Sequence, residues 1–103
     1  MSRIEKLLDL MKTSDADSFL QHALALEYIK IGKDEEARKL FTELLQREPG
    51  YVGSYYHLAK LLERSGEYDK AADVYKNGML QANAVSDKHS YNELMMALEE
   101  IEE

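Results

Sequence analysis

The stretch LLERSGEYDKAADVY, Leu61–Tyr75, carries three different local instructions. Leu61 and Leu62 belong to the apolar stripe of a helix. Gly66 then suits the left-handed residue that closes a helix C-terminus, and Ala71 opens the middle of a second helix. Such a stretch is a helical hairpin, and it is not alone. Displaced by 34 residues, the chain matches itself: Leu24 with Leu58, Ala25 with Ala59, Gly32 with Gly66, Ala37 with Ala71, and Phe41 with Tyr75. Between these anchors Tyr28 pairs with Leu62, Lys30 with Arg64 and Glu35 with Asp69, so size and charge persist where identity does not. A period of this length marks a stack of helix pairs rather than one isolated hairpin.

Each anchor has a mechanical reason. A small residue beside a large one, as in Leu24–Ala25 and Leu58–Ala59, lets two helices approach while the leucine fills the facing groove. Ala37 and Ala71 let the second helix of each pair lie close to the first, and Phe41 and Tyr75 fill the space one turn on. Pro49 and Gly50 end one pair and begin the next.

The constellation resembles the tetratricopeptide repeat (TPR). The first copy offers Leu24, Ala25, Tyr28, Gly32, Ala37, Phe41 and Pro49, with Gln21 where the family has an aromatic. The second offers Tyr55, Leu58, Ala59, Leu62, Gly66, Ala71 and Tyr75, and departs from the pattern at Gly78 and at Asn83, where Pro is usual. The resemblance spans Ser18 to Val85 and implies an all-α fold, a right-handed superhelix of antiparallel helix pairs. The flanks extend it. Leu7, Leu10 and Met11 fall in register with Phe41, Leu44 and Leu45, and Tyr91, Leu94, Met95 and Leu98 repeat Tyr55, Leu58, Ala59 and Leu62 at an offset of 36.

Six helices are expected, near residues 3–12, 16–31, 35–47, 52–65, 68–82 and 87–101. Within a single domain, 1–103, they form an N-terminal half-repeat (3–12), two repeats (18–51 and 52–85) and a C-terminal capping helix (86–103). Ser14 and Asp17 read as a capping pair for the second helix. The acidic tail EEIEE opposes the helix dipole, and its last turn is expected to fray.

With 103 residues, folding buries roughly two-thirds of the unfolded chain's surface, enough for one modest core. A net charge of −7 argues against generic binding to nucleic acid or anionic membranes, whose affinity comes from clustered cations. Cysteine is absent, which removes disulfides, thiolate nucleophiles and Cys-ligated zinc. The N-terminal residues lack the unbroken apolar run of a signal peptide, so a cytoplasmic location is the expectation.

Catalytic patterns are missing. The sequence has no phosphate-binding glycine loop, nucleophile elbow or HExxH motif. His22 and His57 have no ligating side chain three or four residues away and His89 has Glu93 alone, with no second histidine at that spacing, so neither metal nor cofactor is expected. The acidic pairs Asp15/Asp17 and Glu35/Glu36 read as first-turn charges. Tyr28, Tyr55, Tyr75 and Tyr91 read as core, leaving Tyr56 as the exception.

The resemblance implies that the first helix of each pair lines a groove that receives a peptide or protein segment. Its register assigns Phe19, His22 and Leu26 from the first copy, Tyr56, Lys60 and Arg64 from the second, and Asn92 and Met96 from the last helix; Ile29, Lys30, Glu63 and His89 lie beside them. Some family members clamp a C-terminal carboxylate with Lys and Asn at two positions that here hold His22 and Leu26. Tyr56, Lys60 and Arg64 follow four-residue steps off the Leu58–Leu62 stripe, which points to an apolar anchor beside an acidic group in the ligand. The expectation is therefore a monomeric or weakly dimeric protein-binding scaffold, with self-association through the end helices as the alternative.

Overall fold

A computed structural model describes residues 2–13 and 17–102, and among them the chain forms six α-helices and no strand. They are α1 (Arg3–Met11), α2 (Ser18–Lys30), α3 (Asp34–Arg47), α4 (Gly53–Arg64), α5 (Tyr68–Ala84) and α6 (Lys88–Ile101). The expected boundaries hold to within two residues. Contacts divide the chain into two units, Met1–Glu48 and Pro49–Glu103.

In the first unit α2 packs against both α1 and α3. Helix α1 starts on a reciprocal capping box, with the Glu5 N–H donating to Ser2 Oγ at 3.1 Å and the Ser2 N–H donating to the Glu5 carboxylate at 3.2 Å. Helix α2 starts on Asp17, whose carboxylate accepts from the Leu20 N–H at 3.1 Å. The expected partner Ser14, like Asp15, lies outside the described residues. Leu7, Leu24, Ala25, Ala37, Phe41 and Leu44 are buried and form the core of this unit. Leu10 departs from the register reading. It is 54% exposed although its counterpart Leu44 is fully buried, because α1 meets α2 less extensively than α3 does.

In the second unit α5 lies against α4 on one side and α6 on the other. Tyr55, Leu58, Ala59, Leu62, Ala71, Tyr75, Leu94 and Leu98 are buried there. Of the tyrosines read as core, Tyr55 and Tyr75 are buried, whereas Tyr28 and Tyr91 are only half-buried. Gly78, an apparent departure from the repeat, has a steric cause: a Cβ there would fall 2.7 Å from Tyr55 Cβ and 2.9 Å from Leu94 Cδ1. Three helices can meet at this point only around a bare Cα.

The chain reverses three times by one device. After α2, Gly32 (φ +78°) donates to Ile29 O and Lys33 to Tyr28 O; after α4, Gly66 (φ +80°) donates to Glu63 O and Glu67 to Leu62 O. This paired bonding satisfies the last carbonyls of each helix. After α5 the same pattern recurs with Ser86 at φ +58°, donating to Asn83 O, while Asp87 donates to Ala82 O. Asn83 in place of Pro lets α5 run on to Ala84, which explains the longer offset of the last helix. The acidic end of α6 is helical through Ile101, and Lys76 on α5 reaches Glu102 at 3.3 Å, supplying the cation that α6 lacks in its own last turn.

Candidate functional site

The second unit holds a cleft of about 180 Å³ between α4 and α6, lined by Tyr56, Lys60, Glu93, Met96, Ala97 and Glu100. Helical spacing builds both walls. Tyr56 and Lys60 are one turn apart on α4, and Glu93, Met96, Ala97 and Glu100 follow the 0, 3, 4, 7 positions of one α6 face. Met96 is 62% exposed, so a flexible apolar side chain is available at the rim.

The α4 wall is fixed from behind. Lys60 Nζ lies 5.4 Å from the centroid of the Tyr56 ring and 3.5 Å from the Glu63 carboxylate. Glu63 also accepts a hydrogen bond from the hydroxyl of Tyr75, a fully buried residue. Burial, then this hydrogen bond and the Glu63 charge, push the Tyr75 hydroxyl far above the usual tyrosine range, so it remains a donor. Neighbouring His57 is held below its ordinary value mainly by burial, against an opposing pull from Glu93. Lys60 is therefore aimed by a ring on one side and by an anchored carboxylate on the other.

Three of the sequence-assigned residues, Tyr56, Lys60 and Met96, come together in this cleft. Arg64 does not line it. Asn92 lines a separate depression at the α5–α6 turn with Asn83, Ser86, Asp87, Lys88 and Tyr91. In the first unit Phe19 is 69% exposed, Leu26 is half-buried, and His22 packs its ring edge-on to Phe41 with centroids 5.5 Å apart. His22 thus doubles as a packing residue.

Glu93, Ala97 and Glu100 were missed from sequence. Their spacing carried the signal, but the altered offset of α6 drew attention to Asn92 instead. Their presence changes the electrostatics: two carboxylates line the cleft, while its one lysine is already paired with Glu63. Among the described residues no three His, Cys, Asp or Glu side chains gather to hold a metal ion, and no helix is long and apolar enough to cross a membrane.

Paired helices with a glycine reversal and a small-residue contact in each full pair are thus present in three dimensions. A family model described as tetratricopeptide repeat matches residues 32–90, more than half of the chain. The chain belongs to the tetratricopeptide repeat family. This TPR chain is 40% identical to a TPR domain protein of Salinibacter ruber, whose crystal structure superposes with a TM-score of 0.81 over 84% of this chain and 96% of that one. A protein of Bordetella parapertussis shares the fold at a TM-score of 0.84, with 20% identity over 98% of this chain and 88% of that one. The TPR repeat-containing protein YpiA of Bacillus subtilis is 37% identical over 46 residues, 45% of this chain but 11% of YpiA, so the chain spans a small part of that relative's length. TPR domains are in general modules of protein–protein interaction, and the chain shares their fold.

Proposed function

We propose that this TPR domain is an adaptor that captures a peptide segment in the α4/α6 cleft, by an apolar side chain laid between Tyr56 and Met96. One observation carries the reading: an exposed methionine and an aromatic ring share a cleft with two carboxylates and a lysine that Glu63 and the Tyr56 ring hold in place. Rigid aromatic area with adaptable apolar and polar neighbours is the usual composition of a binding hot spot. Charge then sets the polarity of the ligand. Lys60 is paired with Glu63, whereas Glu93 and Glu100 face the cleft, which favours a basic residue beside the apolar anchor over the acidic one that Lys60 and Arg64 suggested in isolation.

Fluorescence anisotropy with two synthetic peptides tests this, one carrying a leucine flanked by lysines and one a leucine flanked by glutamates. The lysine peptide is expected to bind more tightly, Tyr56→Ala is expected to weaken it, and Glu93→Lys with Glu100→Lys is expected to reverse the preference. Binding of both peptides that is indifferent to all three substitutions would place the site elsewhere, with Phe19, His22 and Leu26 on α2 next to be tested. The coupling is expected to weaken with salt, since the carboxylates are exposed.

A further inference from the structure

The two repeats differ together at four matched positions. An offset of 34 residues sets His22 against Tyr56, Leu26 against Lys60, Ile29 against Glu63 and Phe41 against Tyr75. In the first copy the set holds no carboxylate and no hydroxyl. In the second it is a connected chain. Lys60 Nζ lies 3.5 Å from Glu63 Oε2 and 5.4 Å from the centroid of the Tyr56 ring, and the Tyr75 hydroxyl donates to the same Glu63 oxygen. The Tyr75 and Tyr56 rings close the circuit, with centroids 6.4 Å apart.

Shape alone does not call for the Tyr75 hydroxyl, because Phe41 is fully buried at the matching place in the first unit without one. A hydroxyl added at a buried position costs free energy unless it is bonded. Here its partner is a carboxylate whose side chain is only 19% exposed, and burial keeps the hydroxyl protonated as a donor. The bond fixes Glu63, and Glu63 in turn fixes the ammonium one turn before it on α4. Lys60 lines the α4/α6 cleft together with Glu93 and Glu100, whereas Glu63 and Tyr75 stand outside it. A lysine carries its charge on a flexible four-carbon stem. Without Glu63, its ammonium has two other carboxylates within the same cleft to neutralise.

We propose that Glu63, anchored by the Tyr75 hydroxyl, is the positioning residue that sets the ligand charge of this cleft: it draws the Lys60 ammonium back along α4 and leaves Glu93 and Glu100 to a cation in the ligand. The ligand half of this proposal rests on the peptide-capture reading, while the restraint on Lys60 belongs to the free chain. The two halves are measured separately.

The first measurement needs no peptide. The Nζ resonance of Lys60 in the intact chain, assigned with Lys60→Met, is expected to shift on Glu63→Gln and in the same direction, by less, on Tyr75→Phe, which keeps the ring that Phe41 shows to be sufficient for packing. Glu93→Gln with Glu100→Gln is expected to leave that resonance in place in the parent and to move it once Glu63→Gln is present. The second measurement is anisotropy with the lysine-flanked and glutamate-flanked leucine peptides. Glu63→Gln is expected to lower the preference for the lysine peptide about two- to fivefold, the effect of one partly exposed ion pair. Added to Lys60→Met, the same substitution is expected to change the preference little, since no ammonium remains to be released. A parent Lys60 resonance that follows Glu93 and Glu100 instead of Glu63 would overturn the proposal with no ligand present. An equal fall in preference with and without Lys60 would overturn it as well, since Glu63 would then act on the ligand directly. Binding indifferent to Tyr56→Ala would defeat the capture reading and with it the ligand-charge role, while the Lys60 resonance still decides whether Glu63 holds the ammonium.

Discussion

Gln21 in α2 and Tyr55 in α4 occupy the same place in the repeat, and both are buried, but the two units complete that place by different means. In the first unit it is polar. Gln21 Nε2 donates to Leu40 O at 3.0 Å, and Arg47 Nη2 donates to Gln21 Oε1 at 2.7 Å and to Ser18 Oγ at 3.0 Å, while Ser18 Oγ donates to Glu48 at 2.9 Å. In the second unit it is steric. The Tyr55 ring fills the space, its hydroxyl donates to Pro49 O at 2.6 Å, and Gly78 makes room where the first unit has Leu44. A polar solution works only when every partner is present, because a buried unpaired group costs more than a made bond gains. A packed solution works only when volumes match.

Removing the filler should expose this difference most strongly. Tyr55→Ala is expected to lower stability by about 3 to 5 kcal/mol, the range for deleting a buried ring, read as a fall in urea midpoint. A loss below about 1 kcal/mol would mean that the second unit relaxes around the site and is no more demanding of shape than the first. Next in size, Arg47→Ala leaves Gln21 Oε1 without its 2.7 Å donor and is expected to cost about 1 to 3 kcal/mol. The same substitution would be close to neutral if Arg47 were an ordinary exposed helix residue.

Gly78→Ala sets two effects against each other. Alanine gains roughly 1 kcal/mol of helix propensity over glycine. Overpacking against the Tyr55 Cβ, which is fixed to its own backbone, costs about 1 to 3 kcal/mol and is expected to prevail. A stabilised variant would show that α5 can move away from α4. Ser86→Gly should act in the opposite direction and gain about 1 kcal/mol, since glycine removes the Cβ penalty of a left-handed residue. Thermal melting of this variant beside Gly66→Ala, which introduces the penalty, would give shifts of opposite sign.

The smallest effects separate the units by pH. His57, in the second unit, is lowered from 6.5 by burial, so the unfolded chain takes up its proton first as pH falls. Its contribution is complete above about pH 6.5 and declines as pH drops toward the lowered folded value. Glu27, in the first unit, is lowered from 4.5, chiefly by the hydrogen bond from Lys30 at 2.9 Å, with Arg3 adding its charge at 3.3 Å against partial burial. Its contribution is complete above about pH 4.5 and declines as pH falls through the folded value. Urea midpoints measured across this range should show the first decline removed by His57→Gln and the second by Glu27→Gln.

Much of this was legible in the sequence because the repeat is periodic. Leu24, Ala25, Ala37 and Phe41 announce themselves twice, and the two glycine reversals follow from the only residue that adopts positive φ without strain. Ser86 could not be read the same way, since a serine in that conformation is selected by the bonds at the end of α5 rather than by its own preference. The candidate cleft was half legible. Tyr56 and Lys60 stood out because four-residue steps carry them off the Leu58–Leu62 stripe, but Glu93 and Glu100 are ordinary surface carboxylates until α6 is placed opposite α4.

The sequence by itself therefore determined the family, the six helices and the small residues at their contacts, because each rests on local spacing and conformational preference. The tertiary structure alone decided that Glu63 holds Lys60, that Gly78 yields to Tyr55, and that Leu10 stays exposed while Tyr91 is half-buried. Those outcomes depend on distances between side chains far apart in the chain, and no period of 34 residues encodes them.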